Sequence, residues 1–389
     1  MKTLLPLTVL ATALALTACG GGSGSSTATG SLNVAMTDNP ACGFNHVWVT
    51  VKQVRIHTSA TAGDKDLGWQ TVTLTTPLRV DLLSLTNGVL QQLGQIPLPA
   101  GHYQQIRLVL TADNSVVPTT ASGADGTEVV LTTPSATQSG YKVVGNFTVQ
   151  PDTLTDLVLD FDACHSIVQK GNGTYSLKPV VTATPVVVSG RIKGVVSPTE
   201  AGATVYAEQN GVVIKGTVVN ADGSFTLSPL VQSSTNGNYD VVVVDKGFSN
   251  AIIRSVPVIA STDTTISTTA APIPAHASSF GTAAGTAITA ITAITASTDG
   301  VVVRALQTSG TNTYEVGSVA TNGAFSLTLP VGSPSYVGTY AGVLPVTLAS
   351  DGTVTGQYKI ETKDSSTGAI QTTPVDITTS GVTNLSFSF

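Results

Sequence analysis

The side chains that most often perform catalysis are scattered along this chain without a recognisable catalytic spacing. Its five histidines are isolated from one another, with no pair at ligand spacing: His46, His57, His102, His165 and His276. The sequence contains no Gly-x-Ser-x-Gly elbow, no His-Glu-x-x-His, no Cys-x-x-Cys and no phosphate-binding glycine loop. We therefore expect no enzyme activity, no catalytic residues, no cofactor and no assigned metal ligands.

Three aspartates form one local group of like charge. Asp156, Asp160 and Asp162 share the parity of one strand, so their carboxylates repel unless water or a cation lies between them. Calcium takes six to eight oxygen ligands, and Asp38 and Asn39 would contribute more if the first strand lay alongside. A solvated outer face that deters edge-to-edge pairing explains the same pattern. The sequence leaves both interpretations open and favours the solvated face.

Two tryptophans offer a different kind of site. The flat apolar faces of Trp48 and Trp69 would suit stacking on sugar rings, as in a glycan-binding platform. Trp48 shares parity with the polar residues Thr50 and Lys52, which favours exposure. Packing in the core or at its rim is the alternative for both rings, and it is the one that we favour.

The N-terminus has the pattern of an export signal. Lys2 supplies a positive charge, and the segment from Leu4 to Leu16 is apolar apart from two threonines. That run is shorter than the roughly 20 residues of a membrane-spanning helix. Its end, Leu16-Thr17-Ala18-Cys19, resembles a bacterial lipobox, which implies cleavage before Cys19 and acylation of that cysteine. An ordinary signal peptide with an incidental cysteine is the alternative.

The lipobox resemblance also implies a location. Gly20, rather than Asp, follows the cysteine, which favours the outer membrane, with the chain facing the periplasm or the cell surface. We expect residues 1–18 to be removed and residues 19–30, rich in Gly and Ser, to be a tether. A flexible chain of this composition spans about 5–6 Å × √n, so it reaches roughly 15–20 Å from the lipid. The membrane, contacted through lipid on Cys19, is the first predicted partner.

Two cysteines remain after Cys19 is assigned to lipid. In an exported protein the pair Cys42 and Cys164 predicts a disulfide. Closing a loop of about 120 residues would stabilise the fold by up to about 5 kcal/mol in the chain-entropy account. Two free buried thiols are the alternative. His165 lies beside Cys164, but adjacent strand positions point to opposite faces, so a catalytic Cys/His pair is disfavoured.

The composition predicts an all-β protein. Charged residues make up only 10% of the 389 residues, against a usual level of about 25%. The chain is rich in Val and Thr, which favour strands, and in Gly and Pro, which favour turns. The net charge is −6 and no basic run occurs, which argues against a nucleic-acid partner. We expect tandem β-sandwiches of immunoglobulin-like or transthyretin-like type.

Residues 31–184 form the first predicted sandwich. Alternating apolar residues mark its strands, and a change of phase at Lys52-Gln53 predicts a bulge. The pair Asn87-Gly88 predicts a turn. Several phrases of this segment resemble the bacterial domain of unknown function 4382 family, found at the front of exported lipoproteins, which implies an exported β-sandwich without an accepted activity. Those phrases are Thr37-Asp38-Asn39-Pro40, Trp69 before a strand, Asp81-Leu82-Leu83, Ala100 to Leu108, Leu159 to Asp162 and Leu177 to Val180.

Two further sandwiches are predicted. Residues 186–260, with a hairpin turn at Asp222-Gly223 and a central buried strand Val241–Val244, resemble the carboxypeptidase-regulatory-like or transthyretin-like fold. Residues 261–280, rich in Thr, Ala and Pro, are expected to be a linker. The phrase Thr321-Asn322-Gly323 repeats the earlier turn, so residues 281–389 are expected to be a degenerate second copy. The run Ile288 to Ile294 fits neither strand nor helix periodicity.

Together these features predict a lipid-anchored envelope protein without enzyme activity. We expect a binding or scaffolding module whose partners are cell-surface polymers, such as glycans, or proteins. A purely structural spacer, or a carbohydrate-binding accessory to an envelope enzyme, are the alternatives. The fold resemblance alone does not choose among them, because function resides in sites.

Overall fold

The protein is built almost entirely of strands. The computed structural model describes residues 28–40, 43–120, 123–143, 145–170, 172–289, 300–331 and 334–389. The predicted signal peptide, Cys19, Cys42 and most of the Ile-Thr-Ala run lie outside these residues. The helices are short: α1 (Pro134–Gln138), α2 (Ala163–Ser166), α3 (Ser233–Asn236) and 3-10 turns at Leu82–Leu85, Val186–Val188, Pro198–Glu200 and Gly352–Val354. None of the helices in the described ranges has the length and apolarity needed to cross a bilayer.

The first unit is a sandwich of two sheets over one core. Its strands are β1 (Thr29–Asn39), β2 (Phe44–His57), β3 (Gln70–Asp81), β4 (Gln91–Pro99), β5 (Gly101–Tyr103), β6 (Gln105–Leu110), β7 (Ser115–Pro118), β8 (Val129–Thr132), β9 (Tyr141–Val143), β10 (Phe147–Val149), β11 (Leu154–Asp162), β12 (Ile167–Lys170), β13 (Tyr175–Leu177) and β14 (Val181–Pro185). One sheet has the order β14-β11-β1-β4, and the opposite sheet is centred on β2. The alternating side chains Leu32, Val34 and Met36 are fully buried between them.

Two local predictions for this unit are confirmed. The pairing register of β2 shifts between Val51 and Gln53 against both of its neighbours, so the phase change is a bulge. Asn87 and Gly88 both have positive φ and form a tight turn before β4. A left-handed backbone suits Asn and Gly, which explains why this pair marks the turn.

The second unit is a smaller sandwich. Its strands are β15 (Ser189–Val195), β16 (Thr204–Gln209), β17 (Val212–Val218), β18 (Ser224–Val231), β19 (Tyr239–Val244), β20 (Ala251–Val256) and β21 (Asp263–Thr265). The predicted central strand is confirmed, since β19 lies between β16 and β20 with Val241–Val243 buried. A tight turn does occur at Asp222-Gly223, but it joins β17 and β18, which belong to different sheets, and so it closes no hairpin ladder.

The segment 261–280 differs from the expected linker. It contributes β21, which pairs in parallel with β15. Ile266 and Ile273 are buried in the second core. The abundance of Thr, Ala and Pro suggests a linker, but two isoleucines of this segment pack in the second core. The segment therefore belongs to the second sandwich.

The third unit contains the longest strand of the described chain. Its strands are β22 (Phe280–Ile288), β23 (Val301–Ser309), β24 (Asn312–Pro330), β25 (Ser335–Thr339), β26 (Ala349–Asp351), β27 (Gln357–Asp364), β28 (Ile370–Asp376) and β29 (Val382–Ser388). The predicted turn at Thr321-Asn322-Gly323 is wrong, because β24 runs straight through it. The strand pairs with β23 up to Thr321 and with β22 from Gly323, so this phrase passes the chain between sheets without reversing it.

Hydrogen-bonded strands connect the three units. The strand β12 of the first unit pairs in parallel with β24 of the third, at Gln169 and Lys170. The strand β20 of the second unit pairs in parallel with β25 of the third, over Ala251–Arg254. The first and second units meet through side chains, which form the site described next.

Candidate functional site at the junction of the units

A fully buried lysine joins the first two units. Lys215 projects from β17, and its side chain is only 1% exposed. Its ammonium donates to Asp160 Oδ1 at 2.6 Å and to the carbonyl oxygen of Asp38 at 3.0 Å. The Asp160 side chain is 7% exposed, so the ion pair lies almost entirely out of water. Burial raises the pKa of Asp160 to about 6, although the neighbouring charge of Lys215 acts in the opposite direction.

The phrase Thr37-Asp38-Asn39-Pro40 forms the rest of this contact. Asn39 Oδ1 accepts from the backbone N–H of Gly216 at 3.0 Å. Asp38 Oδ1 accepts from the backbone N–H of Ala163 at 3.2 Å, while its second oxygen has no hydrogen-bond partner among the described residues. Burial raises the pKa of Asp38 well above its usual range, against the effect of Lys215. A neutral acid at this position is the form that a dry site favours.

His165 extends the charged contact toward the third unit. It lies on α2, which Asp162 caps by accepting from the backbone N–H of His165. The second carboxylate oxygen of Asp162 is hydrogen-bonded to the His165 ring Nδ1 at 2.7 Å. The opposite ring nitrogen is 3.6 Å from Glu315 on β24. Burial alone would lower the pKa of His165, but the charge and hydrogen bond of Asp162, with the nearby carboxylate of Glu315, raise it to about 10. The imidazole is therefore held as a cation between two carboxylates from different units.

Glu315 carries the charged contact further, into the third and second units. Arg304 on β23 donates to Glu315 Oε2 at 3.0 Å and also binds Glu361. Glu208 on β16 accepts from the backbone N–H of Glu315 at 3.0 Å. Burial, followed by the charge of Glu315, raises the pKa of Glu208 well above its usual range. The junction is defined as Asp38, Asp160, Asp162, His165, Glu208, Lys215, Arg304, Glu315 and Glu361. It thus brings three cations and six acids from all three units together.

The junction contains ion pairs that hold the units together. Lys215 lies between the Asp160 carboxylate and the Asp38 carbonyl, while His165 and Arg304 each lie between two carboxylates. Loss of one partner would leave a charge uncompensated in a dry site. A general acid or base must instead reach a substrate. The ion pairs link the first unit to the second and to the third.

The three aspartates each bind a different partner within the protein. Asp156 accepts from Asn33 at 2.8 Å, Asp160 binds Lys215 and Asp162 binds His165. Across the described part of the chain, no group of three or more His, Cys, Asp or Glu residues is arranged to hold a metal ion. The solvated face is also wrong for Asp160, because the second unit covers it. A sequence cannot show which distant lysine neutralises a carboxylate.

A second contact between the first two units is neutral. The amide of Asn87 donates to Val218 O at 2.6 Å and to Asn220 Oδ1 at 3.1 Å. Its oxygen accepts from the Thr217 hydroxyl at 2.9 Å and the Thr226 N–H at 3.1 Å. The turn that the sequence marks by Asn-Gly therefore also binds the second unit through every polar atom of one side chain.

The two tryptophans are separated and do not form one platform. Trp48 lies near the start of β2, where Arg79 sits 4.6 Å from its ring and His46 stacks on it at 5.8 Å. Trp69 lies over the far end of β2, about 20 Å further along the strand, with Arg55 at 4.5 Å and Arg107 at 5.2 Å. Both rings are partly buried. A guanidinium group thus lies against each ring, where it would compete with a stacked sugar.

The cysteine predictions are tested only in part. Cys164 is buried on α2, with its sulfur 3.8 Å from Ser318 O. The expectation of a strand at Cys164-His165 is wrong, since both residues are helical and the Asp162 cap turns His165 toward Glu315. Cys42 and Cys19 lie outside the described residues, so the disulfide and the lipidation stay predictions.

An open cleft lies beside the junction. It has a volume of about 480 Å³ and is lined by both of the first two units, including Asn87, Val186, Arg191 and Lys193. Arg191 and Lys193 both bind Asp263, at 2.6 and 2.7 Å. Its volume falls within the range of about 300–1,000 Å³ that small ligands occupy.

Sequence reasoning missed most of the junction. Lys215 interrupts an otherwise apolar and small-residue strand, Val212-Val213-Ile214-Lys215-Gly216-Thr217-Val218. A lone lysine in such a strand signals a buried partner, because Lys is almost never fully buried unless paired. The identity of that partner requires the fold.

Comparisons with solved structures return a cohesin–dockerin complex and pilins. A type II cohesin–X-dockerin complex from Acetivibrio cellulolyticus is 23% identical over 23% of this chain, which spans 58% of that chain, at a TM-score of 0.18. A streptococcal ancillary pilin is 11% identical, over 91% of this chain and 98% of that chain, at 0.18. The minor pilin of Streptococcus agalactiae is 13% identical, over 63% and 95%, at 0.16. TM-scores this low support no inference about function.

Sequence comparisons identify the first unit. No curated protein matches the chain. Residues 29–179 match the family model described as Domain of unknown function (DUF4382), which confirms the resemblance drawn from the phrases of the first unit.

Proposed function

We propose that this protein is a lipid-anchored, non-enzymatic component of the bacterial envelope that acts as a rigid binding or scaffolding module. The supporting observation is the way its units are joined. Two strand pairings and a buried chain of ion pairs link all three sandwiches. Flexible tandem domains need none of these contacts, because inter-domain motion is the default unless the interface is large. A rigid body presents its binding surfaces at a fixed spacing.

The character of the buried acids supports a non-enzymatic role. Asp160 and Glu315 each bind a cation from another strand, and Asp162 binds His165 of the helix that it caps. The open cleft beside them contains Arg191 and Lys193, which share the carboxylate of Asp263, and the fully bonded Asn87. This lining suits recognition of a polar ligand better than proton transfer, which needs a group poised to titrate against a substrate.

The proposed ligand class is a cell-surface polymer, a glycan or a protein. The test is the melting temperature of the chain from Gly20 onward, with glycans, peptidoglycan fragments, or Ca²⁺ and a chelator control. A ligand present at a hundred times its Kd stabilises the folded state by about 2.7 kcal/mol. We expect a shift with one class of polymer and none with Ca²⁺. Substitution Arg191→Ala should remove that shift if the cleft is the site.

A structural spacer is the second candidate, and the tryptophans favour it. Trp48 and Trp69 both lie against guanidinium groups, which compete with a sugar for their ring faces. Absence of a shift with every polymer would support the spacer. The anchor is tested separately, by metabolic labelling with a fatty-acid probe, which we expect to mark the wild-type chain and not Cys19→Ala.

A further inference from the structure

The chain enters the first unit beside a loop that also borders a second cleft. The carbonyl of Ala28 accepts from the N–H of Ala100 at 2.7 Å, and that of Thr29 accepts from Asp152 at 2.9 Å. Ser31 donates to Thr153 O at 2.9 Å, so the first strand starts in contact with residues 150–153. Residue 28, to which the predicted tether is joined, therefore lies at this edge, which we call the exit edge.

An apolar cleft lies at the same edge. Its volume is about 590 Å³, and its walls include Gln150, Thr153, Leu154 and the turn Val186–Val188. Leu154 is 52% exposed and Val187 is 74% exposed. Three consecutive valines in a surface turn are unusual, because water contact with their branched side chains opposes folding. We call Leu154, Val186 and Val187 the valine face.

We propose that the valine face contacts the phospholipid bilayer and inserts into the boundary between headgroups and acyl chains. The inference rests on the proposed lipid anchor at Cys19. Nine residues lead from Cys19 to Ala28, and at about 3.3–3.6 Å each they reach at most about 30 Å whatever their conformation. The edge that carries the valine face is therefore kept close to the membrane.

A tether of this length makes a weak apolar contact effective. Once an anchor holds the chain, contact between the face and the lipid becomes intramolecular, with a high effective concentration. Peripheral proteins commonly combine a lipid chain with a second membrane signal. Exposed valine and leucine side chains at the exit edge supply such a signal. The short tether keeps this edge near the lipid.

Charges of both signs surround the valine face. Arg191 and Lys193 line the neighbouring cleft on the other side of Val186, with side chains 51% and 41% exposed. Asp263 neutralises one of these two charges. Asp156 lines the cleft of the valine face, and Asp152 lies exposed at the exit edge, so these acids offset the remaining positive charge. The proposed contact therefore rests on insertion of apolar side chains and not on attraction of headgroups.

The experiment replaces the natural anchor, so it does not depend on lipidation of Cys19. The chain from Gly20 carries an N-terminal hexahistidine tag and is bound to vesicles of phosphatidylethanolamine and phosphatidylglycerol that contain a nickel-chelating lipid. A polarity-sensitive fluorophore is attached at Val187→Cys. The matched control is Val130→Cys on β8, where the native side chain is also well exposed, at 67%, and away from the exit edge.

We expect the label at residue 187 to shift to shorter wavelength on vesicles and to be quenched by lipids brominated in their acyl chains. The label at residue 130 should do neither. Leu154→Asp should abolish the shift at residue 187, while Val130→Asp should leave it intact. Equal spectra at residues 187 and 130 on vesicles would overturn the proposal. A shift at residue 187 with soluble glycan or peptidoglycan fragments instead of vesicles would also overturn it, while fatty-acid labelling of Cys19 independently tests the anchor.

Discussion

Two ion pairs of nearly equal length show how differently the same contact behaves in two regions of this protein. In the junction, Lys215 lies 2.6 Å from Asp160, with side chains 1% and 7% exposed. On the outer face of the first unit, Arg79 lies 2.7 Å from Glu128, with side chains 39% and 52% exposed. The first pair is shielded from water and salt, while the second is surrounded by both.

The difference lies in what remains when one partner is lost. Water and counterions solvate an exposed charge, so an exposed pair contributes about 0–1 kcal/mol. A buried charge without its partner keeps its desolvation cost, so the loss of a buried partner costs about 3–5 kcal/mol. The junction therefore restricts how the units pack, and the outer face leaves its side chains free to rearrange.

The largest effect is expected from Lys215→Ala. The substitution leaves Asp160 and the Asp38 carbonyl without their donor in a dry site, so we expect the free energy of unfolding to fall by about 3–5 kcal/mol. Urea unfolding of the full chain measures it. A loss of less than about 1 kcal/mol, similar to that expected at the exposed pair, would remove the distinction between the regions.

The second effect is a pH dependence that arises from His165. Its folded pKa of about 10 lies above its unfolded value, so its contribution is fully present below pH about 6.5 and is lost as the pH rises toward 10. Within that window the free energy of unfolding should fall by up to about 1.4 kcal/mol per pH unit. Unfolding of His165→Gln between pH 6.5 and 9 should show a much flatter profile, and parallel profiles would refute the assignment. His102→Gln, at an exposed histidine whose ring contacts the Thr148 hydroxyl, is the control.

A moderate effect is expected from Asn87→Gly. Glycine keeps the left-handed backbone, since φ is 57° at this position, but removes the side-chain bonds to Val218, Asn220, Thr217 and Thr226. Loss of satisfied, partly buried bonds should lower the free energy of unfolding by about 1–3 kcal/mol. The effect should be independent of pH between 6 and 9, because no charge is involved. A pH-dependent loss would show that the two contacts are coupled.

The smallest effect is expected from Arg79→Ala. The exposed pair with Glu128 should contribute little to the free energy of unfolding, and less at high salt. The same change uncovers Trp48, whose ring lies 4.6 Å from the guanidinium carbon. Its fluorescence should therefore become more accessible to a soluble quencher while stability hardly changes. A loss comparable to that of Lys215→Ala would contradict the comparison.

The sequence predicts the local structure well because period and turn chemistry are local properties. The alternation of Leu32, Val34 and Met36, the bulge after Val51 and the buried Val241–Val243 all follow from it. The turn at Thr321-Asn322-Gly323 fails because pairing with β22 and β23 keeps this stretch extended. Tertiary contacts here override a local preference.

The site is predicted much less well than the fold. Asp160 and Asp162 stand out in the sequence, but Lys215, Glu208 and Glu315 lie far from them along the chain and look like isolated charges in strands. Lys215 neutralises Asp160, and His165 neutralises Asp162. Two carboxylates that look mutually repulsive in the sequence are therefore each half of an ion pair in the fold. Two tryptophans that look like one platform prove to lie at opposite ends of β2, since sequence separation does not give position on a sheet.

The central claim is that the junction makes the three sandwiches one cooperative body. Differential scanning calorimetry of the chain from Gly20 onward tests it directly, by comparing the calorimetric enthalpy with the van't Hoff enthalpy. We predict a single transition with equal enthalpies for the wild type, and separate transitions for Lys215→Ala. Two or three resolved transitions in the wild type, unchanged by Lys215→Ala, would show that the units unfold independently and would contradict the account.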